Sequence, residues 1–141
     1  MSSRDMHNII KPLVALKIAA ISSNTTTVGE IIDTQNFESL EFVFQTGTTT
    51  DGDYVVLIED GDDSGLSDAA DVVDDALLGT ETLASFTADT DDDKTSKIGY
   101  IGAKRFVRLS IVSTNVTTGG TFGAIAILGK GRTAQQTDQT P

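Results

Sequence analysis

At 141 residues, with 38% hydrophobic side chains and no cysteine, the chain has material for one domain around one core and none for disulfides, thiolate metal sites or a cysteine nucleophile. Its 21 acidic against 10 basic side chains give a net charge of −11, which repels phosphate and argues against broad binding to nucleic acid or an anionic membrane surface. Thr, Asp, Gly and Ser are abundant, a profile that suits short strands joined by many turns.

Residues 1–11 are polar and mixed and read as an N-terminal arm. From Pro12 a period-two pattern sets in, with Val14, Leu16, Ile18 and Ala20 on one face and Lys17 on the other. The apolar run Leu13–Ile21 is short and interrupted by Lys17, so it is expected as a strand and not as a signal segment or a membrane span. A polar turn at Ser22–Thr27 precedes a second short strand, Val28–Ile32. Leu40, Phe42 and Phe44 then alternate with Glu41, Val43 and Gln45, and Tyr54–Glu59 returns after the turn residues Gly47 and Asp51-Gly52. The spacing predicts an antiparallel hairpin, with Tyr54–Ile58, apolar on both faces, central in a sheet.

Asp60–Gly79 departs from the alternation. Leu66, Ala70, Val73 and Leu77 recur at three- and four-residue spacing, with Ser67 placed to cap and Gly79 to stop. This predicts one short helical excursion over about residues 64–79, or an ordered loop pinned there by Val72, Val73, Leu77 and Leu78. Thr82–Thr87 and Ile98–Ile101 read as strands around a solvated acidic turn, Asp89–Asp93. Phe106–Val112, with Val107, Leu109 and Ile111 inward, and Thr121–Leu128 read as a last hairpin. Glycine and alanine in its second strand predict close approach of another backbone. Gly129–Pro141 is a polar tail without an apolar anchor, expected to be flexible. The expected fold is all-β: an antiparallel β-sandwich or jelly-roll-like barrel over residues 12–128, between the arm 1–11 and the tail 129–141.

One local pattern has ligand spacing. Asp60, Asp62, Ser64, Asp68 and Asp71 occupy positions 1, 3, 5, 9 and 12 of a twelve-residue stretch with Gly65 at position 6, the arrangement that turns alternate oxygens toward Ca²⁺. Asp71 is shorter than the usual bidentate glutamate, and a strand precedes the loop. A solvated acidic turn that caps the following segment fits the same residues. Lys104, Arg105 and Arg108 form the one basic cluster, open to two readings: a docking patch for an acidic partner or neighbouring subunit, or pairing with the surplus carboxylates. The single histidine, His7, lies in the arm, where a Ser-His-Asp geometry could not be held, and no Gly-rich phosphate loop precedes a helix. An enzyme is not expected, and no cofactor beyond Ca²⁺ is suggested.

The stretches Val28–Gly65, VGEIIDTQNFESLEFVFQTGTTTDGDYVVLIEDGDDSG, and Ile98–Thr114, IGYIGAKRFVRLSIVST, resemble small virion proteins of tailed bacteriophages, in particular the auxiliary head proteins called decoration or cement proteins. The resemblance spans most of residues 9–128 and rests on the overall run of residues, with no diagnostic motif and no functional residues to carry over. It implies a β-rich domain assembled in the host cytoplasm, self-associating as a homo-oligomer and contacting the major capsid protein on the capsid exterior, with neither nucleic acid nor membrane as partner. Two other classes share the residue-level features. One is another virion component, such as a tail-tube, tail-terminator or head-fibre subunit; the other is a calcium-dependent binding module.

Overall fold

The computed structural model describes residues 5–87 and 91–132. Its strands are Ile10–Ile21 (β1), Thr25–Asp33 (β2), Phe37–Thr49 (β3), Asp53–Gly61 (β4), Ala70–Asp71 (β5), Leu77–Leu78 (β6), Phe86–Thr87 (β7), Thr95–Tyr100 (β8), Phe106–Thr114 (β9) and Gly120–Gly131 (β10). One helical turn, α1, covers Glu81–Ala84. Two sheets form, β1-β10-β3-β8-β6 and β2-β9-β4-β5, with β7 also on β4, and every ladder is antiparallel. With the two-residue inserts β5 and β6 set aside, the orders are β1-β10-β3-β8 and β2-β9-β4-β7, which is the connectivity of a jelly roll.

This connectivity corrects both expected hairpins. β3 lies in one sheet and β4 in the other, and β9 and β10 are separated in the same way. Period-two alternation marks a strand and its buried face but does not say whether the next strand lies beside it or across the core. Here each turn is an arch between layers. Leu40, Phe42 and Phe44 of β3 therefore face Tyr54, Val56 and Ile58 of β4 across the core, all at most 4% exposed. Phe44, Tyr54, Phe86 and Phe122 join the layers, with ring centroids 4.9 to 5.7 Å apart in the stacked, tilted and edge-on geometries that aromatic quadrupoles prefer.

The first strand also departs from simple alternation. Its register against β10 shifts between Val14 and Leu16 and again between Leu16 and Ala19. Each irregularity resets the face that the following residues occupy. Ala15 and Leu16 consequently enter the core, while Val14 and Ile18 stand 54% and 82% exposed. At Gly29 of β2 a Cβ would overlap the Leu109 and Ala15 carbonyl oxygens, so only glycine lets β1 and β2 approach along this side of the sandwich.

No α-helix forms over residues 64–79. The segment is the looped alternative: β5, a 3₁₀ turn at Asp74–Ala76, and β6. Its backbone is better satisfied by the sheet edges, with Val72 N–H on the Ile58 carbonyl at 3.0 Å and Ile101 N–H on the Ala76 carbonyl at 2.8 Å. Leu66, Val72 and Leu77 pin it to the core, whereas Val73 points to solvent. The helical turn comes later, at Glu81–Ala84, where Thr80 Oγ1 accepts from Leu83 N–H at 3.1 Å, so most of the strand expected over Thr82–Thr87 is replaced.

The paired strands reach beyond the expected domain limits. Ile10 and Lys11, placed in the arm, pair with Gly129 and Leu128, and Gly131, placed in the tail, pairs with Phe37. Backbone pairing carries β10 past the end of its apolar residues. Residues 1–4 of the arm and 133–141 of the tail lie outside the described residues.

Candidate functional site

The sandwich has two dissimilar ends. At the arch end, one carboxylate ties the β3/β4 turn to the β9/β10 turn, and an asparagine ties in β1/β2. Asp51 accepts from the backbone N–H of Thr117 (3.0 Å), Thr118 (2.9 Å) and Gly119 (2.8 Å), and these bonds hold its pKa below the ordinary value. Asn24 Oδ1 accepts from Val116 N–H at 2.8 Å, and Asn115 Nδ2 donates to Asp53 Oδ2 at 2.7 Å. Gly119 sits at φ +89°, and a Cβ there would overlap the Ile21 carbonyl oxygen. Nothing in local spacing marks Asp51, because its partners lie more than sixty residues downstream.

The acidic loop sits toward the opposite end, and its carboxylates are directed at protein groups. Tyr100 Oη donates to Asp60 Oδ2 at 2.7 Å, and Asp62 pairs with the Lys104 ammonium. Asp68 accepts from the backbone N–H of Asp62 (2.8 Å) and Asp63 (3.2 Å). Asp63, outside the ligand spacing, accepts from Gly65 N–H at 2.9 Å. Asp71 lies in β5 and pairs with Glu59 through the ladder, and Ser64 is exposed. Backbone hydrogen bonds lower the pKa of Asp63 and Asp68. Ca²⁺ requires six to eight oxygens converging on one point. Among the described residues no three carboxylate, histidine or cysteine side chains gather to hold a metal. Asp68 and Asp63 thus accept from backbone N–H groups within the loop itself.

The basic cluster is spent on internal pairs. Arg105 makes a bidentate contact with Asp33 (Nε to Oδ1 2.8 Å, Nη2 to Oδ2 2.7 Å), donates to Gln35 Oε1, and lies over the Phe106 ring with its Cζ 4.8 Å from the centroid. Arg108 donates to Glu59 Oε2 at 2.7 Å in a pair only about one-fifth exposed on each side. Lys104 is held by Asp62. The hydrogen bond from Arg105 holds the Asp33 pKa down, and the Asp62 hydrogen bond raises that of Lys104. Burial, reinforced by Asp60, pushes the Tyr100 phenol well above its ordinary value. Lys104, Arg105 and Arg108 each have an acidic partner within the chain. His7 is exposed in the turn before β1, and among the described residues no helix is long and apolar enough to cross a membrane.

What the ends consume, one outer face leaves open. On the solvent side of the β1-β10-β3-β8 sheet, Val14, Ile125 and Val43 follow one another across the ladders. Gly47 and Gly123 offer no side chains beside them, and Ile18 folds over Gly123, its Cα 3.1 Å from where a Cβ would stand. This is the close backbone approach that the small residues of β10 predicted. The result is a groove of about 600 Å³ with a mostly aliphatic lining and Lys17 and Asp93 at its margins. The groove was hidden in the sequence by the irregular register of β1, which turns Val14 and Ile18 away from the core.

Neither a protein-family model nor a curated protein sequence matches the chain. Among solved structures, it is similar to the SPBc2 prophage-derived protein YomS, with 15% identity, TM-score 0.47, and coverage of 84% of this chain and 91% of that one. It is also similar to a chain in the structure of infectious bursal disease virus, Gx strain, with 15% identity, TM-score 0.41, and coverage of 89% of this chain and 33% of that one.

Proposed function

We propose that the protein is a structural virion subunit of a tailed phage that decorates the outer surface of the capsid as an oligomer and stabilises the shell by binding the major capsid protein. The observation that carries this reading is the distribution of unspent groups. Asp60, Asp62, Asp68, Lys104, Arg105 and Arg108 are bonded within the chain, while a solvent-facing sheet presents an apolar groove suited to binding by shape. The jelly-roll connectivity, a framework used by viral capsid domains among others, is compatible with it, as is the resemblance of Val28–Gly65 and Ile98–Thr114 to phage auxiliary head proteins. Acidity suits the exterior of a shell better than its DNA-lined interior. Each subunit adds a modest contact, and self-association makes further contacts effectively intramolecular.

The test mixes purified protein with heads that lack it and follows co-sedimentation and the heat resistance of the particles. Binding with a raised rupture temperature is the expected result. If the protein neither co-sediments with heads nor alters their stability, decoration fails and a tail-tube, tail-terminator or head-fibre role replaces it.

A further inference from the structure

We infer that the outer face of the β1-β10-β3-β8 sheet is where two copies of this chain meet, sheet against sheet about a two-fold axis. The inference deepens the oligomeric part of the proposed function, and its test reads the protein alone. Three observations converge on a second copy as the occupant.

The first is shape. A two-fold contact uses the same patch on both partners, so that patch must carry a projection and a recess that fit each other. Ile18, lying over Gly123 and still 82% exposed, stands at the rim of a groove that the missing side chain at Gly47 helps to open. Ile18 of one copy can enter the groove of the other, with Val14, Val43 and Ile125 lining the contact, as aliphatic side chains interdigitate between packed sheets.

The second is charge. Every lysine and arginine lies outside residues 18–93, which hold nineteen of the 21 acidic side chains. Lys97 of β8 stands near Glu41 of β3 on this face, Lys17 of β1 pairs with Glu30 of β2 at 3.1 Å, and Asp93 lies by the groove. The face is therefore close to neutral on a molecule of net charge −11. Two copies can approach here without the repulsion that opposes contact over much of the remaining surface.

The third is area. Strands β1, β10, β3 and β8, of 12, 12, 13 and 6 residues at ~3.4 Å each and ~4.8 Å spacing, present a face of roughly 700 Å², near the ~800 Å² per partner of a stable interface.

Sedimentation of the full chain across micromolar concentrations tests this, together with three exposed-site variants whose folding is checked by urea titration. Wild type is expected to sediment as a dimer. Ile18→Glu and Ile125→Glu should weaken the pair at least about tenfold. Val55→Glu, at a comparably exposed site on the outer face of the other sheet, should leave it intact. High salt should not dissociate the wild type, since the contact is apolar. A wild-type monomer throughout, an Ile18→Glu protein that pairs unchanged, or dissociation by Val55→Glu alone would overturn the inference. So would a wild-type monomer whose head binding is lost in Ile18→Glu, because the face would then belong to the capsid protein. A folded, monomeric Ile18→Glu protein that still binds heads supports the two-fold contact here and leaves decoration standing. A wild-type dimer that ignores heads supports the contact while decoration fails.

Discussion

In the bonds that join turns distant in sequence, the two ends of the sandwich use aspartate differently. At the arch end, the Asp51 carboxylate is turned onto three consecutive backbone N–H groups and locks one interlayer turn against another. At the end where the termini enter and leave the sheet, Asp33 and Asp62 are turned onto the side chains of Arg105 and Lys104. Backbone donors are fixed by the fold, so a carboxylate that accepts from them is held without the rotamer entropy that an exposed ion pair must lose. The arch end should therefore be the more rigid and the less sensitive to salt.

The sharpest way to break the arch end is Gly119→Ala. The new Cβ would overlap the Ile21 carbonyl at a positive φ, and the expected loss is about 3 kcal/mol or more in urea titration, with unchanged m-value. At the other end the largest effect should come from Arg108→Ala, which strands the half-buried Glu59 carboxylate. A loss of about 2 kcal/mol is expected, with Glu59→Gln milder because the carbonyl still accepts a hydrogen bond.

Smaller still is Asp51→Asn, which should lower the melting temperature near neutral pH by an amount that high salt does not erase. The Asp51 pKa is depressed in the folded protein, so its stabilisation is fully present above the ordinary value of about 3.9 and is lost as pH falls through the folded value. In Asp51→Asn the acid limb of the stability profile should accordingly flatten. Arg105→Ala should have the smallest effect, and its difference from wild type should vanish in high salt, because Arg105 and Asp33 are both nearly half exposed. If Arg105→Ala costs more than Asp51→Asn, the contrast between the ends is wrong.

Strand existence was legible wherever one face is buried: Leu40, Phe42 and Phe44, or Val107, Leu109 and Ile111, announce themselves by alternation alone. Strand pairing was not, because an arch and a hairpin place the same residues inside and differ only in contacts far along the chain. The helical spacing of Leu66, Ala70, Val73 and Leu77 misled for a related reason. Two sheet edges offered that backbone partners which no local pattern records. Of the candidate site, Asp60–Asp71 and Lys104–Arg108 were visible as clusters, and it was their mutual pairing, joining residues 62 and 104 or 59 and 108, that only the fold could disclose. The apolar groove was least legible of all, since it depends on irregular pairing of β1 that a period-two reading cannot contain.

The central claim is that this chain is a shell-bound structural subunit, and a density map of the intact particle tests it most directly. The account predicts the jelly roll on the outside of the capsid, in contact with the major capsid protein, with copies paired across Ile18 and Ile125. Density for the chain in the tail, inside the head, or nowhere in the particle would contradict it.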